Sequence, residues 1–475
     1  MRPPDPAPDS AGGKFIPIRE VSLYEAHRKV YARSVSGRFA TWRWIMVWFT
    51  QIIFYGLCWV NWQGRQAVLF DLDERKFYIF GLVFWPQDVF YLAVLLIISA
   101  LALFLFTAVA GRLFCGYACP QTVYTEIFMW VEKQFEGDRL ARMKLDAAPW
   151  STNKFWRKAG KHAAWAAIAL WTGFTFVGYF TPVRTLITSL VPWQLSGWEA
   201  FWLFFYAFAI WGNAGFMREQ VCKYMCPYAR FQGVMFDPDT LIVTYDAERG
   251  EPRGARAKKA DHRAEGKGDC VDCGICVQVC PTGIDIRNGL QYECIGCSAC
   301  IDACDQVMDK MGYPRGLIRY STEHALARRW GRKEILAHVL RPRTLVYGAV
   351  LSAIIIAAAT GLALRQPLKV DVIRDRATLA REVENGMIEN VYRLQVINQA
   401  EAPRRFAIAV TGLPGIQLAT DAEVDIPPGV SQAVPVRVRV EPDAGKRGSN
   451  AIHFEVRALD DDSVFVREKA SFLLP

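Results

Sequence analysis

The stretch that decides the reading is Cys270-Val271-Asp272-Cys273-Gly274-Ile275-Cys276-Val277-Gln278-Val279-Cys280-Pro281, followed by Cys294-Ile295-Gly296-Cys297-Ser298-Ala299-Cys300-Ile301-Asp302-Ala303-Cys304-Asp305. Eight cysteines fall within 35 residues, as two runs of C-x2-C-x2-C-x3-C. Three thiolates at this spacing wrap one corner of an iron–sulfur cube, because a short loop can turn all three inward. The fourth of each run is then better placed for the neighbouring cube. Cluster one is therefore expected on Cys270, Cys273, Cys276 and Cys304. Cluster two is expected on Cys280, Cys294, Cys297 and Cys300. Pro281 stops a helix from continuing past Cys280. The second run ends in Asp305 instead of proline, a departure from the two-cluster pattern. Structural zinc uses CxxC pairs separated by long spacers, and disulfide frameworks belong to secreted domains. Two 4Fe–4S clusters are the expected cofactors.

The rest of the 475-residue chain must hold these clusters at a membrane. Mean hydropathy is +0.10 although 22% of residues are charged, so apolar residues are concentrated in blocks. Five blocks are long enough to span a bilayer: Trp44–Val60, Val89–Ala110, Ala163–Phe180, Ala200–Phe216 and Leu345–Leu364. Leu186–Trp193 is too short and is expected at the outer interface or capping the helices. The polar first 40 residues contain no signal-peptide apolar core. Lys and Arg crowd before span one, between spans two and three, and before span five, whereas the other loops hold few. The positive-inside rule then puts the N-terminus and the cysteine insert in the cytoplasm and the C-terminus outside. A net charge of +9 follows from such basic loops. The basic run Arg253–Lys267 reads as a solvated linker, and nucleic acid is not an expected partner.

After Leu364 there is no cysteine. That tail alternates apolar and polar residues in short runs (Val391–Asn398, Ala433–Val440, Ile452–Arg457, Ser463–Arg467) separated by Pro/Gly turns, the pattern of an immunoglobulin-like sandwich. The expected architecture is a multi-domain integral membrane protein. Residues 1–40 form a cytoplasmic N-terminal segment and 41–235 a four-span core. Residues 236–340 form a cytoplasmic ferredoxin-like 2×4Fe–4S domain, 341–365 a fifth helix and 366–475 a periplasmic all-β sandwich.

Four more cysteines form a second pattern. Cys115-Gly116-Tyr117-Ala118-Cys119-Pro120 follows span two, and Cys222-Lys223-Tyr224-Met225-Cys226-Pro227 follows span four. The shared core, C-x-Y-x-C-P, suggests a duplicated hairpin. The x3 spacing puts both sulfurs on one helix face. Alternatively each proline starts a new helix, with the preceding cysteine at its N-terminus, where a thiolate is favoured. Pro120–Glu136 looks like such a helix, with Val123, Ile127, Trp130 and Val131 on one side. A thiolate-rich site near Met225 suits a soft ion such as Cu(I), which makes Cys115, Cys119, Cys222 and Cys226 candidate copper or redox thiols. Cys58, alone in span one, reads as a packing residue. No facing histidines at haem-ligand spacing appear, and there is neither a Walker A motif nor a convincing GxGxxG. No catalytic residue can be named.

Together, the CxxxCP hairpins, the 2×4Fe–4S insert, the fifth span and the β-sandwich resemble the FixG/CcoG (RdxA) family, accessory proteins for assembly of cbb3-type cytochrome c oxidase. The resemblance covers nearly the whole chain. It implies a cupric reductase that makes Cu(I) for the oxidase, with oxidase assembly factors and copper donors as partners and an electron donor it does not identify. It leaves a homodimer open. Two rival readings are a quinol-linked electron-transfer subunit of NapH type, which would lack the sandwich, and a non-catalytic copper chaperone or assembly scaffold.

Overall fold

The computed structural model describes residues 29–258, 264–375, 380–383, 386–400 and 402–475. Most of the expected 1–40 segment, and the middle of the Arg253–Lys267 run, lie outside the described residues. What is described of that run is not simply solvated: the Gly254 amide donates to Cys270 O (3.3 Å) and Arg256 stacks over Tyr313.

Helices occupy all five apolar blocks: Arg38–Leu57, Val89–Ala110, Thr152–Val177, Gly197–Gly212 and Pro342–Ala363. Three are long and apolar enough to cross a membrane, over Pro86–Ala110, Gly197–Met217 and Pro342–Ala363. The other two differ from these in composition. Thr152–Val177 carries Lys154, Arg157, Lys158 and Lys161 in its first turns, and Arg38–Leu57 is rich in aromatics and contains Arg43. Arg38–Leu57 nevertheless exposes Trp48 and Ile52.

Close packing of the core rests on small residues. A Cβ on Gly173 would lie 2.3 Å from Leu203 O, so the third and fourth helices touch backbone to backbone, as small residues permit between apolar helices. Val183–Leu190 folds over that pair, burying Val183 and Leu186 against Phe174, Leu203 and Cys58. It therefore caps the helices, and Cys58 packs as expected.

One region was not anticipated. Residues 61–84 form a two-stranded hairpin (Asn61–Trp62, Arg65–Gln66) and a three-stranded meander (Val68–Asp71, Lys76–Ile79, Leu82–Phe84). These strands hold two to four residues each, too short for alternation to register. Val83 and Trp85 pack on Ile397 of the C-terminal domain.

That domain is an antiparallel sandwich. One sheet orders Gln417–Leu418, Ser431–Val440, Ile388–Asn398 and Leu368–Arg374, with Arg381–Glu382 also paired to Ile388–Asn398. The other orders Glu423–Ile426, Arg404–Thr411, Gly448–Ala458 and Phe465–Leu474. Inward residues alternate along each strand, and Tyr392, Leu394, Phe406, Val436, Phe454 and Phe472 form the core. Tyr392 and Phe454 meet edge to face.

Asp88 joins this domain to the membrane helices. Its buried carboxylate lies 2.5 Å from both Arg365 and Lys369, beyond the fifth helix. Removing one partner of a buried ion pair costs about 3–5 kcal/mol. Asp88→Ala is expected near the low end, because Lys369 is one-third exposed. Tryptophan-monitored unfolding of the full-length protein should show that loss. Asp462→Ala, at the exposed Arg457 pair, should leave stability within about 0.5 kcal/mol.

Candidate iron–sulfur and thiol site

The insert closes on a two-stranded antiparallel sheet, Ile242–Tyr245 with Ile318–Ser321, beside the helix Ala299–Met311. Its two cysteine runs share one backbone design. Left-handed residues flank the middle cysteine of each: Asp272 (φ 50°) and Gly274 (φ 63°) around Cys273, Gly296 (φ 68°) and Ser298 (φ 60°) around Cys297. Glycine adopts this conformation freely, and Asp is among the side chains that tolerate it best. A helix starts just past each of these loops, at Ile275 and Ala299.

Two cavities result. One is lined by Cys270, Cys273, Cys276 and Cys304, beside Tyr245 and Arg287. The other is lined by Cys280, Cys294, Cys297 and Cys300, with Cys276 in its wall as well. The spacing assigns Cys276 to the first set alone, whereas here it lines both cavities. Arg287 holds the first loop through Asp272 (2.5 Å) and Asp285 (2.7 Å). Burial pushes the Cys276 thiol up to about 11 and the Cys294 and Cys304 thiols up to about 12. Thiols so placed stay neutral unless a metal replaces the proton. Among the described residues no three His, Cys, Asp or Glu side chains converge on a point that would hold a single ion. Four thiols around a cavity fit a multi-atom cluster instead.

Both C-x-Y-x-C-P motifs adopt the proline-start geometry. Cys119 is the N-cap of Pro120–Glu136, and Cys226 the N-cap of Pro227–Met235. Cys115 lies in the preceding short helix Leu113–Tyr117 and Cys222 in a π turn, Val221–Met225. Burial, then the neighbouring thiols, push Cys115 up to about 11 and Cys222 up to about 12. Cys119 shifts the same way, opposed by the helix-end amides of Gln121 and Thr122. All four thiols are thus within electrostatic reach of one another. On Pro120–Glu136 the buried face is Val123, Tyr124, Phe128 and Val131, whereas Trp130 faces outward against Trp44.

These motifs abut the second cavity. A Cβ on Gly116 would lie 2.8 Å from Ile295 O and 2.9 Å from Cys297 Cα. Gly296 in turn lies against the Arg112 backbone. Cys115 and Cys222 pack against the buried group that contains Ile295 and Cys297, and Cys222 lines a common cavity with both. Three supporting residues escaped sequence reasoning. Gln232, fully buried, sets its amide 3.6 Å from Cys115 Sγ. Gln121 donates to Asn213 O (3.0 Å) and Arg218 O (3.2 Å), linking the first motif to the approach to the second. Glu132 holds Arg218 at 2.6 Å, where that residue takes a left-handed turn (φ 37°) four positions before Cys222. Burial would raise the Glu132 carboxyl, but Arg218, Arg142 and Lys161 hold it below the usual range. Polar residues several positions away from a motif carry no spacing signal.

Gly116→Ala places a methyl group inside backbone contact distance. The expected cost is about 1–3 kcal/mol, with the EPR signal of one cluster altered and that of the other retained. Unfolding and EPR of the same preparation check both.

Residues 217–323 match the family described as 4Fe-4S dicluster domain, and residues 92–136 match a 4Fe-4S binding domain. Residues 358–475 match the immunoglobulin-like fold at the C-terminus of FixG. The chain is 40% identical over 423 residues to nitrogen fixation protein FixG of Rhizobium meliloti, covering 82% of this chain and 81% of that protein. It is 38% identical over 453 residues to protein RdxA of Cereibacter sphaeroides, covering 93% and 95%. A crystal structure of a FixG-related protein from Vibrio parahaemolyticus aligns with 23% of this chain and 97% of its own, at 24% identity and a TM-score of 0.21. With iron–sulfur domains, membrane-length helices and full-length relatives in agreement, the chain belongs to the FixG/RdxA family of iron–sulfur proteins.

Proposed function

We propose that the protein is a membrane-bound cupric reductase with five spans, its cysteine insert on the cytoplasmic side and its sandwich in the periplasm, supplying Cu(I) for cbb3-type oxidase assembly. The observation that carries this reading is the contact of Gly116 with the Ile295–Cys297 backbone, which sets a thiol-rich motif against a cysteine-lined cavity.

In this reading Cys270, Cys273, Cys276 and Cys304 hold one 4Fe–4S cluster, and Cys280, Cys294, Cys297 and Cys300 the other. When bound, such clusters store and release single electrons. The residues around them set the direction. Cys273 is exposed, so a donor meets the protein at the first cavity. The second lies beside Cys115 and Cys222. Arg43 donates to Cys297 O (3.2 Å) and keeps that loop fixed against the first helix. Copper is the substrate: Cu(II) gains one electron, drawn from the reduced protein, and becomes Cu(I). Thiolates favour the Cu(I) product, and metal binding removes the thiol protons that burial otherwise retains. Oxidase assembly factors and copper donors are the proposed partners.

One observation favours a second reading. The 4Fe-4S binding match at 92–136 contains only Cys115 and Cys119. Together with Cys222 and Cys226 they equal the ligand count of a third cube.

Anaerobically purified protein with reduced centres should be reoxidised by Cu(II) and yield chelatable Cu(I); reoxidation without Cu(I) would sink the reductase. Cys222→Ser with Cys226→Ser should abolish copper binding and keep both cluster signals. Iron should be about eight atoms per chain in both proteins. About twelve in the parent, falling in the variant, would instead establish the third cluster.

A further inference from the structure

A cavity of about 140 Å³ lies outside both cysteine sites. It is several times the roughly 30 Å³ share of one water. Its walls come from residues just before the first helix, from that helix itself, from Pro120–Glu136 and the turn after it, and from the chain flanking Cys280 and Cys300. Four cations line it: Arg33, Arg43, Lys133 and Arg142. Only two carboxylates do, Glu126 and Asp138. Glu126 is 3.7 Å from Arg43, and Asp138 accepts the Ser34 amide at 3.0 Å. The lining therefore carries a net positive charge.

A second observation points to a ligand. Arg43 and Arg142 are 7% and 5% exposed, and the Nε of each is buried without a hydrogen-bond partner. Their remaining nitrogens are engaged: Arg43 with Cys297 O and Glu126, Arg142 with Glu132 and Ala32 O. Buried guanidinium groups are normally satisfied. Excess positive charge and unused N–H donors together select an anion with several acceptor oxygens, which a neutral ring compound does not supply.

The mouth indicates the source. Trp44 and Trp130 meet edge to face at 6.4 Å on the cavity wall, and amphipathic Trp rings favour the headgroup level of a bilayer. We infer that this cavity binds the phosphate of an anionic lipid headgroup and so pins the chain flanking Cys280 and Cys300 to the membrane surface. Basic pockets between membrane helices on the cytoplasmic side take such headgroups. The inference rests on the membrane placement of the first helix proposed above.

The test uses full-length protein and two exposed cations, so that folding is spared: Arg33→Gln with Lys133→Gln. Binding of phosphatidylglycerol and of phosphatidylcholine is titrated in mixed micelles, with inorganic phosphate as a separate arm. Phosphatidylglycerol should bind at least tenfold more tightly than phosphatidylcholine, and the double variant should weaken it about thirtyfold, at roughly fivefold per basic residue. Equal binding of the two lipids, or an unchanged preference in the variant, overturns the inference. So does inorganic phosphate binding that saturates without lipid and displaces it, which would identify a soluble phosphate as the ligand. Insertion into bilayer nanodiscs is scored separately. Protein that inserts but does not discriminate lipids refutes the lipid site alone, whereas protein that fails to insert refutes the membrane placement.

Discussion

Thiols stand where the insert would otherwise have hydrocarbon. Cys270 and Cys276 are core members beside Val243, Ile301 and Leu317, and Cys297 is one beside Val279 and Ile295. Thiols take up part of that interior, and a metal bound by thiols that converge only in the folded chain adds its binding free energy to folding. Much else is fastened to this interior. The Asp302 carboxylate, between Cys300 and Cys304, accepts the Phe39 and Ala40 amides at 3.1 and 2.7 Å. Those are orphan donors of the first helix, whose Gly37 N-cap has no side chain to offer. Gly116 and Gly296 lock the same domain to the second helix's exit. Cofactor content and membrane-core geometry are therefore one equilibrium.

What was legible in the sequence is what is encoded locally. Three of each set of four cysteines stand three residues apart, so their spacing is visible, and the fourth is supplied by the other run. Sandwich strands such as Ile388–Asn398 are long enough for alternation to show. Pro120 and Pro227 marked helix starts, leaving two geometries open, and the structure takes the N-cap one. The illegible features join distant positions. Asp88 meets Arg365 and Lys369 across more than 270 residues, and Gln232 reaches Cys115 across 117. Val123, Ile127, Trp130 and Val131 read as one side of Pro120–Glu136, yet Val123 and Val131 are buried while Trp130 is half exposed; the buried face runs through Phe128, which stacks with Trp165 at 5.0 Å.

The helix Pro120–Glu136 carries a second kind of constraint. Glu132 and Glu136 are almost fully buried, yet between them they engage Arg142, Lys158, Lys161 and Arg218 at 2.6–3.1 Å. Such a network contributes little net stability compared with an apolar replacement. Its geometric effect is clearer: it ties Thr152–Val177, Pro120–Glu136 and the approach to Cys222 into one arrangement. A motif that must meet another backbone at van der Waals distance tolerates no slack in these supports.

The cap that Asp302 supplies also has a timetable. Asp302 lies 263 residues beyond Phe39, one of the two amides it receives. At roughly 5–20 residues per second of synthesis, the first helix waits about 13–50 s for its acceptor to exist. Throughout that interval its leading amides face water or lipid. The first helix is thus capped only well after its own residues are made, and Asp88, which waits for Arg365 and Lys369, is paired later still.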